Sequence, residues 1–297
     1  MNPHSQRVFR HMAALAACVL AAASPAETQR IVSTDGITTE TLFALGAGGQ
    51  VVARDEGSVY PEAAQALPDI GQGHQINPEA ILKLRPTLVI GRDRPMSQPA
   101  FQVLESTGLK VERLPSEPGL ETATANIRTL AALLDKKTEG EALVAQLEQD
   151  LLRFRAAREE TEAKDAPKVL VVYLRPNATL IMGEDSNATT MAHLAGAESA
   201  LPSITGYKPL NAEAVIAAQP DIILCYRKGL ESVGGLESLY KQPGIAETPA
   251  ARNKRVIAMD DLLLGGFGPR AGEALLELHH ALFEVDGPYV SGKDADS

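Results

Sequence analysis

Ile76-Asn77-Pro78-Glu79-Ala80-Ile81, followed by Pro86-Thr87-Leu88-Val89-Ile90, is the stretch on which the fold turns, because the chain contains it twice. The second copy is Leu210-Asn211-Ala212-Glu213-Ala214-Val215, followed by Pro220-Asp221-Ile222-Ile223-Leu224, in the same spacing and without a gap. Self-similarity of this kind marks a duplicated structural unit. Each copy reads as a short helix, a proline break and an apolar strand. Asn77 and Asn211 stand where an N-cap belongs, and Glu79 and Glu213 fall in the first turn, where the helix dipole favours an anion. The strands show no alternation, which predicts burial on both faces, as in a parallel sheet.

The likeness extends outward. Thr38-Thr39-Glu40-Thr41-Leu42-Phe43-Ala44-Leu45-Gly46-Ala47 resembles Ala188-Thr189-Thr190-Met191-Ala192-His193-Leu194-Ala195-Gly196-Ala197. Both read as helices closed by a glycine. Before each lies an apolar strand, Ile31-Val32-Ser33 and Val169-Leu170-Val171-Val172. The fold class is therefore α/β: two similar Rossmann-like lobes, residues 30–136 and 167–285, with a ligand cleft between them. Residues 137–164 lack proline and carry Leu143, Leu147, Leu151 and Phe154 at helical spacing. They predict a long rigid helix joining the lobes, roughly 40 Å at 1.5 Å per residue. Residues 286–297 read as a flexible tail.

The composition fits a folded soluble domain: 297 residues, 44% hydrophobic and 22% charged. A net charge of −10 and the lack of tryptophan argue against a nucleic-acid surface, which needs cations and aromatic platforms. The first 26 residues read as a cleaved signal peptide. Arg7, Arg10 and His11 precede an apolar run, Met12 to Ala23, too short to span a bilayer, and Ser24-Pro25-Ala26 supplies small residues for cleavage. Leu15-Ala16-Ala17-Cys18 resembles a lipidation site, but apolar Val19-Leu20-Ala21 would then follow the anchored cysteine. Cys18 leaves with the leader, so Cys225 is alone and reads as a small buried strand residue. The expected location is the periplasm.

In parallel α/β lobes, ligands bind beyond the carboxyl ends of the strands. The loops expected there are Asp55 to Pro61, Gly71 to Ile76, Gly91 to Pro95, Arg175 to Gly183, Gly206 to Leu210 and Tyr226 to Gly229. They hold Tyr60, His74, Arg92, Arg94, Arg175, Tyr207, Lys208, Tyr226, Arg227 and Lys228. So many cations in an acidic protein imply a cargo carrying negative groups such as carboxylates.

Four segments give a more specific reading: Gly57-Ser58-Val59-Tyr60-Pro61, the two Asn-x-Glu-Ala repeats, Gly206-Tyr207-Lys208-Pro209-Leu210, and Leu262-Leu263-Leu264-Gly265-Gly266-Phe267-Gly268-Pro269-Arg270. Together they resemble the periplasmic haem-binding proteins of bacterial haem ABC importers. Those belong to the helical-backbone superfamily that also binds siderophores and cobalamin. The resemblance implies haem as the transported ligand, an ABC permease dimer with its ATPase as partner, and a monomeric carrier. It implies Tyr60 as the axial ligand to ferric iron. Ferric iron is hard and prefers an anionic oxygen, and phenolate is an established haem ligand. A free phenol ionises only near pH ~10, so the iron and a nearby cation must stabilise that form. Pro61 restricts the backbone of Tyr60 and can open the following turn.

His74 stands where related proteins often carry arginine, and offers a hydrogen bond or a second axial ligand; a solvated loop residue is the plainer reading. Arg175, Lys208 and Arg227 are the candidates to meet the haem propionates. Glu79 and Glu213 offer one carboxylate per lobe for permease docking. His193 reads as a packed core residue, and His279 and His280 as surface or packing residues. A ferric-siderophore or cobalamin carrier would use the same lobes. A zinc or manganese carrier is disfavoured by the scarcity of histidine. For an enzyme, the chain lacks a Gly-x-Ser-x-Gly elbow and a P-loop, and Gly46-Ala47-Gly48 follows a helix rather than a strand.

Overall fold

The repeated strands lie at the centre of two separate sheets. The computed structural model describes residues 29–72, 75–161 and 163–292, so the leader and His74 fall outside the described residues. In the first sheet, β1 (Ile31–Ser33), β2 (Val51–Ala53), β3 (Leu88–Arg92) and β4 (Lys110–Leu114) run parallel in the order β2-β1-β3-β4. Helices α1 (Gly36–Ala44), α2 (Pro78–Lys83), α3 (Gln98–Ser106) and α4 (Leu120–Leu133) accompany them. The long helix α5 (Lys137–Glu160) follows.

The second sheet is built from β5 (Lys168–Arg175), β6 (Ala178–Met182), β7 (Glu198–Ser199), β8 (Tyr207–Pro209), β9 (Ile222–Tyr226), β10 (Val256–Met259) and β11 (Tyr289–Val290). Its order is β11-β10-β9-β5-β6-β8, with β7 paired to β5. The helices are α6 (Asn187–Leu194), α7 (Ala212–Ala218), α8 (Arg227–Ser232), α9 (Leu236–Leu239), α10 (Pro249–Arg252), α11 (Asp261–Gly266) and α12 (Ala271–Phe283). The architecture is the α/β two-lobed one that the repeat predicts.

The duplication holds at the level of single bonds. Ile31 pairs with Leu88 in the first sheet, and Val169 with Ile222 in the second. Thr87 N–H donates to Arg30 O at 2.9 Å, and Asp221 N–H donates to Lys168 O at 2.8 Å. The side chains of Thr87 and Asp221 each accept from the strand opposite, again at 2.9 Å. Asn77 Oδ1 accepts from Glu79 N–H and Ala80 N–H, and Asn211 Oδ1 from Ala214 N–H, so both asparagines cap as read. Gly46 and Gly196 close α1 and α6 at φ of 70° and 106°. All three main strands, β3, β5 and β9, are buried along most of their length, which explains their unbroken apolar sequence.

α5 is packed rather than free. Val144, Leu147, Leu151 and Phe154 are buried against α12 and α4. Gly272 permits the approach of α12: a Cβ there would lie 2.7 Å from Asp150 Cβ and 3.0 Å from Leu147 O. His279 is fully buried at the far end, with Nδ1 2.8 Å from Ala195 O and Nε2 3.0 Å from Thr161 Oγ1. It is thus a packing residue. Cys225 is buried in β9, and burial pushes its thiol up to about 12.

Four expectations need correction. Residues Arg175 to Gly183 are not a loop but a hairpin, β5–β6, whose second strand continues the ladder to β8. The stretch read as a flexible tail supplies β11, because Tyr289 and Val290 pair with Ile257 and Ala258. His193 is not in the core: its side chain is 39% exposed, 2.8 Å from Glu184 Oε2 and 3.1 Å from Ala197 O. Tyr226 to Gly229 is not a loop either: Tyr226 ends β9 and Arg227 begins α8. Among the described residues, no helix is long and apolar enough to cross a membrane.

Candidate ligand-binding cleft

The lobes meet where α1 faces α11, below the carboxyl ends of both sheets. Gly36 makes that approach possible: a Cβ there would meet Leu262 Cδ2 at 2.6 Å and Gly57 O at 2.8 Å. Arg92 Nη1 crosses the seam to donate to Gly266 O at 2.9 Å. The same guanidinium pairs with Asp35 at 3.0 Å, and both side chains are nearly buried. Burial opposes the Asp35 charge, but Arg92, Arg94 and the Thr38 hydroxyl overcome it and lower its pKa to about 2. Arg92 is therefore a structural cation, not a free one for cargo.

The loop after β2 carries Tyr60 and is tied down along its length. The Asp55 carboxylate accepts from Ser58 Oγ and from Gly57 N–H. Ser58 Oγ lies 2.6 Å from Thr39 Oγ1, which donates to Ser33 Oγ. Gln65 Nε2 donates to Val59 O. Burial raises the Asp55 pKa to about 6, with the Asp35 charge adding to it. Yet Tyr60 itself stays 44% exposed. A large aromatic held on a rigid loop and left open to solvent is suited to binding rather than packing.

A cation stands on the Tyr60 ring. Arg270, at the end of the Leu262 to Arg270 segment, sits with its guanidinium carbon 3.8 Å from the ring centroid. Glu40 grips the same guanidinium through two bonds of 2.9 Å and is itself only 3% exposed. Partial burial works against the Arg270 charge, but the Glu40 carboxylate outweighs it and raises its pKa. Glu40, Arg270 and Tyr60 thus form a relay across the seam, from helix α1 to the loop. An arginine on a phenol face stabilises negative charge on its oxygen.

The facing wall belongs to the second lobe. Tyr173, Tyr207 and Tyr226 come together there, each pair centred on Tyr173 at 6.0 Å between ring centroids. The Arg94 charge from the first lobe acts on the hydroxyls of Tyr207 and Tyr226, so the two walls lie within electrostatic reach. Arg175 lies over the Tyr173 ring, 4.7 Å from its centroid. Lys208 is exposed on the edge strand β8, beside Tyr207. Arg227 is engaged elsewhere: it donates to Asp260 at 3.1 Å and to Ser291 O at 3.0 Å. Of the three cations named for the propionates, Arg175 and Lys208 are therefore exposed and Arg227 is held within its own lobe. Glu79 and Glu213 are both exposed in the first turns of α2 and α7.

Three members of this arrangement escape a reading of the sequence. Arg270 falls in a quoted motif but has no local signal of its role. Tyr173 looks like an ordinary strand residue. Glu40 leaves one trace: it is the only charged residue in the helix Gly-Ile-Thr-Thr-Glu-Thr-Leu-Phe-Ala. Among the described residues, no group of three or more His, Cys, Asp or Glu side chains is placed to hold a metal ion.

Comparison with known proteins fixes the family. The profile of the periplasmic binding proteins matches residues 31–263. The periplasmic haem-binding protein RhuT of Roseiflexus sp. RS-1, solved in its apo form, is 39% identical, with a TM-score of 0.81. That match covers 86% of this chain and 98% of RhuT. The ABC transporter substrate-binding lipoprotein YvrC of Bacillus subtilis is 25% identical over 86% of this chain and 81% of its own length. The vitamin B12-binding protein of Vibrio parahaemolyticus is 26% identical over 84% of this chain and 88% of its own. The chain belongs to the periplasmic binding protein family, whose members serve ABC importers as substrate-binding components and not as enzymes.

Proposed function

We propose that this protein captures haem in the periplasm as a monomer, after cleavage of its signal peptide, and delivers it to an ABC permease dimer in the inner membrane. The observation that carries the reading is Tyr60, exposed on a tethered loop with Arg270 on its ring and Glu40 behind the arginine. Tyr60 Oη is the axial ligand to ferric iron in this reading. Arg270 offsets the charge that develops on the phenol oxygen, and Glu40 keeps the guanidinium in place. Arg94, Arg175 and Lys208 surround the opening as partners for the propionates, with Arg227 the poorer candidate because Asp260 already holds it. His74, which lies outside the described residues, keeps its sequence-based role as a hydrogen-bond partner of the cargo or a second axial ligand.

Glu79 and Glu213 are assigned to the permease. They are equivalent residues, one per lobe, so a dimer of matching pseudo-twofold geometry can meet both. Reversing both charges is expected to leave hemin binding in solution intact and to lower uptake by the reconstituted permease. Equal uptake by folded, loaded variants would leave them a helix N-terminal role alone.

The decisive experiment is an absorption titration with hemin, beside one with cyanocobalamin, which a vitamin B12-binding relative makes the natural rival. The parent is expected to give a Soret shift and phenolate charge-transfer bands with hemin. Tyr60→Phe keeps the ring, removes the donor oxygen, and is expected to abolish those bands and weaken binding on the order of 100-fold, about 3 kcal/mol. A parent that binds cobalamin and not hemin, or a Tyr60→Phe spectrum matching the parent's, overturns the reading.

A further inference from the structure

The tyrosine cluster of the second lobe is not explained by folding alone. Tyr207 leaves 54% of its surface in water on the three-residue strand β8, although it is one of the largest apolar side chains available for burial. Tyr173 meets it edge-on, at an interplanar angle of 75°, and Tyr226 meets Tyr173 edge-on from the other side, at 86°. Edge-to-face contacts of this kind are favourable and directional, so they fix the Tyr207 plane instead of leaving it to rotate. Tyr226 is in turn covered by α11: a Cβ at Gly265 would lie 2.8 Å from Tyr226 Oη. The cluster is braced from behind and open in front.

Its chemistry separates it from Tyr60. Burial raises the Tyr207 hydroxyl, and neighbouring Tyr173 adds to the rise. Tyr226 is pushed up by burial as well. These phenols stay protonated and neutral, so they offer π faces and not an anionic oxygen for iron. Cations ring the edge of the patch: Arg175 on Tyr173, Lys208 next to Tyr207, and Arg94 across the cleft. The ligand that matches has a broad flat face and carboxylates on its rim.

Building on the haem reading, we infer that Tyr207, braced by Tyr173 and Tyr226, is the platform on which the face of a planar tetrapyrrole stacks, so that the protein recognises the macrocycle independently of its iron. Tyr60 then reads the metal from the first lobe, and Tyr207 reads the ring from the second. A corrin fails this test on shape, because axial groups stand off its faces.

Iron-free protoporphyrin IX isolates the stacking from the ligation. Since the chain has no tryptophan, binding is followed by the porphyrin's own absorption and emission. The parent is expected to bind protoporphyrin IX, and Tyr207→Ala to weaken that binding by about tenfold. Tyr207→Phe is expected to recover most of the loss, because it restores the ring. With hemin, Tyr207→Ala is expected to lose affinity while its charge-transfer bands hold their position, since the iron ligand is on the other lobe. A parent that binds hemin but not protoporphyrin IX overturns the inference and spares the haem reading. So does a Tyr207→Ala variant that binds both ligands as the parent does. Failure of the parent to bind hemin strikes the haem reading instead.

Discussion

At equivalent strand ends the two lobes present opposite chemistry. At the ends of β1 and β3 stand Asp35 and Arg92, an ion pair at 3.0 Å with both side chains nearly buried. Toward the ends of β5 and β9, the strands that pair in the same register, stand Tyr173 and Tyr226, edge to face at 6.0 Å. The duplicated backbone is kept down to the bonds between Thr87 and Arg30 and between Asp221 and Lys168. Core packing constrains the strands, where a change of one methylene is felt. The strand ends lie at the seam between the lobes, and there the copies differ, one ending in an ion pair and the other in an aromatic cluster. Only the aromatic side, with Arg175 and Lys208 at its edge, is left open to a flat ligand with a charged rim.

The comparison breaks most visibly if the ion pair is cut. Asp35→Ala leaves Arg92 buried without its partner and removes the cap that accepts from Ile37 N–H and Thr38 N–H. Loss of one member of a buried pair costs about 3–5 kcal/mol. The corresponding change in the second lobe, Tyr173→Phe, removes only a hydroxyl and is expected to cost under about 1 kcal/mol. Urea unfolding of the two variants measures the contrast. Equal losses would mean that the ion pair is no more structural than the tyrosines. Pairing Asp35→Ala with Arg92→Leu is expected to recover part of the stability, because no buried charge is then left alone.

The two sides also differ in their response to pH. Asp35 has a folded pKa of about 2, below its ordinary 3.8. Its contribution is present above pH ~4 and is lost as the pH falls toward 2. Asp55 runs the other way, at about 6 in the folded state. There the folded state holds the proton more tightly, so stability is greatest below pH ~4 and falls as the pH rises to about 6, by roughly 3 kcal/mol at most. Asp261 and Glu273, both raised by burial, act in the same direction. The aromatic cluster adds nothing in this range, since Tyr207 and Tyr226 are both raised from a phenol's ordinary value. A thermal melt is therefore expected at higher temperature at pH 5 than at pH 7.5, and to drop again below pH 3. Asp55→Asn is expected to flatten the upper part of that profile. A parent whose melting temperature rises steadily from pH 5 to 7.5 would contradict the account of Asp55.

How much of this was legible in the sequence depends on distance along the chain. The repeat, the asparagine caps, the closing glycines and the buried strands are local patterns, and each is read correctly. The β5–β6 hairpin is not, because Pro176-Asn177 and Gly183 read as loop punctuation while the ladder partner, Tyr207 to Pro209, lies far downstream. Arg270 over Tyr60 is farther still, a contact between residues with no shared motif. Arg227 has the residue type that a carboxylate-binding site calls for, and only the fold shows that Asp260 and Ser291 already occupy it. Sequence periodicity reports which face is buried; it carries no information on which two faces meet.

The smallest effect tests the part of the duplication that has not diverged. Asn77 and Asn211 cap equivalent helices of similar length, α2 and α7, so removing each is expected to cost about 1 kcal/mol. The two losses should not be identical. Asn77 Oδ1 accepts from two backbone donors, at 2.9 and 3.2 Å, whereas Asn211 Oδ1 accepts from one, at 3.0 Å. Pro78 at the start of α2 works against the difference, since its fixed φ favours the helix even without the cap. The proline sets the backbone but supplies no acceptor, so it offsets only part of the lost cap. Asn77→Ala is therefore expected to lower the urea midpoint somewhat more than Asn211→Ala, with hemin spectra unchanged in both. A larger loss at Asn211 would mean that the helix context, and not the count of capped donors, sets the cost in these two lobes.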